Sequence, residues 1–91
     1  MKALPLGLSH YKSTPDFTEL TVPKGLLSQH RTKPDCWGKI VILEGLLLYR
    51  ILEAQNEEII LTPLENGIVE PEVFHEVEVI GSVRFRVEFY K

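Results

Sequence analysis

The sequence predicts an all-β domain, folded as a single small barrel or a two-layered sandwich. Three observations carry the prediction. The six prolines, at positions 5, 15, 23, 34, 63 and 71, are spread so that no long helix fits between most of them. Strand-length runs of aliphatic, β-branched and aromatic residues recur along the chain. Corners containing Gly or Asn separate them, the pattern of small sandwiches and barrels.

Taken in order, FTELTV (17–22) alternates moderately, and GLLSQH (25–30) is the one stretch that reads as a turn of helix. WGKIVIL (37–43) and LLLYRIL (46–52) read as two strands joined by a tight corner at Glu44-Gly45, where glycine supplies positive φ. EIILT (58–62) is a further short strand, followed by Pro63 and an Asn66-Gly67 turn signal. VFHEVEVI (73–80) and VRFRVEFY (83–90) both alternate. Parity puts Val73, His75, Val77 and Val79 on one side, pointing inward. In the last run Phe85, Val87 and Phe89 oppose Arg84, Arg86, Glu88 and Tyr90, and parity alone leaves both faces as candidates for the interior.

Ninety-one residues make one domain at most, and 44% apolar with 25% charged residues is ordinary for a soluble globular protein. The net charge is -3, unevenly spread: residues 1–39 hold six Lys/Arg against three acids, residues 40–91 four against ten. That balance lacks the basic stripe a nucleic-acid surface needs and reads as solvated faces. Cys36 is the only cysteine, so no intramolecular disulfide forms, and a reducing, cytoplasmic setting is expected. MKALPLGLSHYK has neither the apolar run of a signal peptide nor that of a membrane span.

Four blocks of the chain, YKSTPDFTELTVPKGLL, HRTKPDCWGKIVILEGLLLYRIL, IVEPEVFHEVE and VRFRVEFYK, follow one another in an order that resembles a known family. It is similar to the small cupin-like domain of tellurite-resistance TehB proteins, found alone or ahead of a methyltransferase domain. The resemblance implies a single cupin-like barrel over residues 1–91. No Gly-rich nucleotide-binding segment follows, so methyl transfer is not carried over. Against the wider cupin pattern, His30 and Gly45 stand at the ends of the first motif. Thr32 replaces its second His, and Gly38 falls where its Glu would be. Gly67, Pro71 and His75 stand for the second motif at shortened spacing.

The expected chemistry centres on His30 and His75, each at the start of a strand-like run. Neutral imidazoles suit Zn²⁺ or Fe²⁺, and two of them leave room for a carboxylate and water. Glu88 is the first choice of carboxylate, ahead of Glu78 and Glu70. The plain alternative is a buried histidine satisfied by a backbone carbonyl. Cys36, beside Trp37 and near Lys33 and Lys39, is a possible soft ligand, though free cysteines are more often inert.

Three functions follow. The first is a metal-binding stress-response protein of the tellurite-resistance type, holding metal and a small molecule or oxyanion. The second is a metal-free anion-binding module with Arg84, Arg86 and Tyr90 as the ligand-binding residues. The third is a metal-dependent oxygenase. A homodimer is expected, because a small barrel buries little alone and the 83–90 strand offers a face for intersubunit packing.

Overall fold

The computed structural model describes residues 3–53 and 55–91. Its strands are β1 (His10–Ser13), β2 (Phe17–Thr18), β3 (Trp37–Ile51), β4 (Glu57–Leu61), β5 (Gly67–Val69) and β6 (His75–Tyr90), with a 3₁₀ turn at Lys24–Leu26. They form one antiparallel sheet in the order β1-β6-β3-β4, with β2 also beside β6 and β5 beside β3. The all-β class expected from the sequence is the class observed. No helix among the described residues is long and apolar enough to cross a membrane.

The spine is the β3–β6 ladder, running from Trp37↔Tyr90 to Ile51↔His75. The short strands flank its two ends. β5 pairs with Gly38–Ile40 and β4 with Leu47–Ile51 along β3, while β1 and β2 pair with the last part of β6.

Glu44-Gly45 is not a corner between two strands, because β6 stays paired alongside and the chain never reverses. The register slips between Ile42 and Glu44 and again between Gly45 and Leu47, so β3 bends through bulges and continues. Gly45 has φ +80°, and a Cβ there would lie 2.1 Å from the Ser82 carbonyl oxygen. Only glycine fits. Opposite it, the two runs expected at 73–80 and 83–90 join into the single strand β6.

FTELTV shortens to two strand residues because Thr21 Oγ1 accepts the Thr18 amide at 2.8 Å and Val22 N–H reaches Thr18 O at 2.9 Å, closing a turn. The turn after β4 falls at Thr62–Glu65, which exchange two backbone hydrogen bonds, and Gly67 opens β5.

One face of the sheet carries the core: Ile40, Ile42, Leu47, Tyr49 and Ile51 from β3, Leu61 from β4, Val69 from β5, and Val77, Val83, Phe85 and Val87 from β6. Burial therefore makes the choice that parity left open, turning Phe85 and Val87 inward and Arg84, Arg86 and Glu88 outward. Each fully buried Leu or Phe contributes about 1.5–3 kcal/mol. The Tyr49 hydroxyl, buried among them, donates to Ile68 O at 2.9 Å.

The outer face neutralises its own charges. Arg50 binds Glu58, Glu76 and Glu78, and Arg84 donates to Glu44 at 2.9 Å.

Candidate ligand cavity and histidine pair

A cavity of about 750 Å³ opens on the core side of the sheet. Its floor is apolar: Ile40 from β3, Val69 from β5, and Val77, Phe85, Val87 and Phe89 from β6. These are the inward positions of the spine, so the alternation that builds the core also builds the floor. Phe17 of β2 packs its ring edge-on to Phe85, with centres 5.6 Å apart.

The mouth is basic. Lys12, Arg31, Lys33 and Lys91 line it, and among the described residues no Asp or Glu does. None of these four cations is in an ion pair among the described residues. Arg31 stacks over Phe74 at 4.9 Å and Lys91 over Tyr11 at 4.5 Å, contacts that leave their charge uncancelled. Carboxylates gather elsewhere, on the outer face and around a smaller pocket of about 210 Å³ where Glu53, Glu57 and Glu70 lie near Tyr49. Burial, reinforced by those carboxylates, holds the Tyr49 hydroxyl far above its ordinary pKa.

Backbone pairing fixes the mouth residues. Lys12 sits on β1 against Phe89, and Lys91 exchanges two hydrogen bonds with Ser9. Thr14 exchanges backbone and side-chain bonds with Val87, both at 2.9 Å. Arg31 and Lys33 ride a turn closed by Thr32 Oγ1, which donates to Cys36 O at 2.9 Å, and by Cys36 N–H to Lys33 O at 3.1 Å. Thr32 thus holds a turn together. The Cys36 thiol lies 3.2 Å from the Tyr11 hydroxyl, and this hydrogen bond raises the phenol's pKa.

The structure brings His30 and His75 together at the cavity wall. Their backbones exchange two hydrogen bonds, at 3.0 and 2.8 Å, and their ring centres are 4.0 Å apart in an edge-to-face contact. His30 Nδ1 is 2.9 Å from Ser28 O and His75 Nδ1 is 2.9 Å from Val73 O. A carbonyl only accepts, so each Nδ1 carries a proton and Nε2 is the atom that faces away from these contacts. His75 is 4% exposed, and burial, with the nearby His30, pulls its pKa down to about 4 despite the Val73 contact.

None of the three carboxylates ranked from the sequence joins this pair. Glu88 lies ten paired positions up the ladder, opposite Lys39, on the other face of β6. It accepts from Arg86 at 3.0 Å and Tyr90 at 3.0 Å, and these bonds hold its pKa below normal although burial opposes them. Glu78 is bound to Arg50 on the outer face, and Glu70 lines the smaller pocket. Gly38 cannot be replaced by the acid of the cupin pattern without crowding, since a Cβ there would sit 3.1 Å from Val69 Cβ. No cluster of three metal-ligating side chains occurs among the described residues. Arg84, Arg86 and Tyr90 lie on the outer face, away from the cavity.

Sequence reasoning missed the basic mouth. Its signal was the excess of Lys/Arg in residues 1–39, which supply three of the four cations. Read as solvated faces, they could not be seen to converge until the long ladder put β1, the 31–36 turn and the C-terminus side by side.

Fold and cavity define a small all-β domain with an apolar-floored, cation-rimmed cavity. The chain belongs to the TehB-like domain family, which it matches over residues 12–87. It is 34% identical over 76 residues to a probable S-adenosyl-L-methionine-dependent methyltransferase TehB of Haemophilus influenzae, covering 79% of this chain and 27% of that protein. The chain thus spans about a quarter of the length of that curated relative. The crystal structure of Haemophilus influenzae TehB superposes with a TM-score of 0.82 at 32% identity, over 91% of this chain and 31% of TehB. A crystal structure of an Escherichia coli K12 protein matches along nearly its whole length, covering 100% of this chain and 97% of that one. Its TM-score is 0.89, and at 22% identity that likeness speaks to the fold.

Proposed function

We propose that this domain is a binding module for a small anionic ligand, held in the cavity between the apolar floor and the basic mouth. One observation carries the reading: four basic side chains surround the opening with no Asp or Glu among the described lining residues. Low-dielectric walls lined by one sign of charge focus the field and raise the local concentration of anions. The volume suits a small molecule. The tellurite-resistance character that the family resemblance implies fits an anion-binding role, with the domain serving a stress response. The mouth residues, rather than Arg84 and Arg86, would make the contact.

The test is a titration of the protein with organic and inorganic anions, tellurite included, followed by backbone amide shifts. Shifts clustered on Lys12, Arg31, Lys33 and Lys91, weakened by added salt, are expected. Shifts elsewhere, or none with any anion, would overturn the reading.

A second reading is a divalent metal, zinc or iron, on His30 and His75. It is favoured by the two Nδ1–H···O=C contacts, which orient metal-binding imidazoles and leave Nε2 as donor. The fit is incomplete in two respects. The described donors stop at two imidazoles with Cys36 on the same cavity wall. Two imidazoles on one tetrahedral zinc hold their ring centres about 5 Å apart, so the rings would have to separate from their 4.0 Å contact. Elemental analysis of untagged wild type, His30→Ala and His75→Ala decides it. Stoichiometric metal lost in both variants supports the centre, and metal-free wild type removes it.

A further inference from the structure

We propose that the ligand is amphipathic, an alkyl or aryl body carrying one carboxylate or phosphate head, inserted body first with the head at the mouth. This rests on the cavity being an anion site and goes further by naming the ligand class.

The argument is the segregation of the lining. All four cations are at the rim, on exposed residues, while Ile40, Val77, Phe85 and Phe89 form the floor below them. A bare inorganic oxyanion gains nothing from such a floor. Drawn down against Phe85 it would give up hydration against carbon, and left at the rim it would leave the apolar wall in contact with water. A ligand with an apolar body removes that wall from water, and the same insertion brings its head level with the cations. Lys and Arg suit this arrangement, because their methylene stems lie along an apolar wall while the charge stays in solvent. The arginines of the outer face are a poorer site, since Arg50, Arg84 and Arg86 are each bound to carboxylates. The smaller pocket carries Glu53, Glu57 and Glu70 and would repel the head.

The experiment is calorimetric titration of the whole chain with acetate, hexanoate, octanoate, octyl phosphate, 1-octanol and tellurite, at low and high salt. Each buried methylene tightens binding about fourfold, so octanoate should bind about sixteenfold tighter than hexanoate. Octanoate should also exceed 1-octanol, and salt should weaken octanoate and leave 1-octanol unchanged. Whichever of octanoate and octyl phosphate binds tighter assigns the head. The double variant Arg31→Gln/Lys33→Gln, on an exposed turn, should weaken octanoate about fivefold and leave 1-octanol unchanged.

Acetate or tellurite binding as tightly as octanoate would overturn the amphipathic ligand while leaving the anion site standing. 1-Octanol matching octanoate would overturn the head contact. No binding by any anion would remove the anion site itself.

Discussion

His75 is clasped by His30 twice over, backbone to backbone through two hydrogen bonds and ring to ring at 4.0 Å between centres. The contact closes the 27–36 segment onto the first residue of β6. It also completes the burial of an imidazole whose other ring neighbour is Tyr49, at 5.9 Å.

That burial makes stability depend on pH. His75 has its pKa lowered from 6.5 to about 4, chiefly by burial, so the unfolded chain takes up the proton first. Stability from this group is complete above about pH 6.5 and is lost as pH falls towards 4, to a total of roughly 3 kcal/mol. Urea midpoints of chelator-treated protein should fall across that window. His75→Gln should show a flatter profile there, and parallel profiles would refute the assignment.

A second prediction concerns the bend of β3. Gly45→Ala places a methyl 2.1 Å from Ser82 O at φ +80°, and the loss should be at least about 2 kcal/mol in urea unfolding. Gly81→Ala, across the ladder, meets nothing within 4 Å and should change the midpoint little.

The strand class and the inward parity of His75 were legible in the sequence, because period-2 alternation reports directly on a half-buried sheet. The continuity of β3 and β6 was not. A glycine at a strand break reads as a reversal unless the partner strand is known to bend with it, and Gly81-Ser82 bends with Gly45. The face of 83–90 was equally hidden, since Phe85 and Arg86 both had neighbours that could bury them. The basic mouth was least legible of all. Lys12, Arg31 and Lys91 are far apart in the chain and meet only through β1–β6 pairing and the His30–His75 clasp.

Tyr49 provides a third test. Its hydroxyl is committed to Ile68 O inside the core, so Tyr49→Phe should destabilise by about 1 kcal/mol. Tyr90→Phe loses only a bond to Glu88 on the outer face, and its midpoint should stay within about 0.5 kcal/mol of wild type.

The last prediction separates the two basic surfaces. Arg86 donates to Glu88 at 3.0 Å and faces away from the cavity, whereas Lys33 and Lys12 stand at the mouth without carboxylate partners among the described residues. Replacing a cation already paired removes little net field at the opening, and replacing an unpaired one removes a full charge within a Debye length of the ligand. Octanoate affinity should therefore fall about two- to fivefold in Lys33→Gln and again in Lys12→Gln/Lys33→Gln, with a shallower salt dependence at each step. Arg86→Gln should leave both affinity and salt slope at wild-type values. An Arg86→Gln variant that loses binding, with Lys33→Gln unaffected, would move the anion site to the outer face of β6 and away from the cavity.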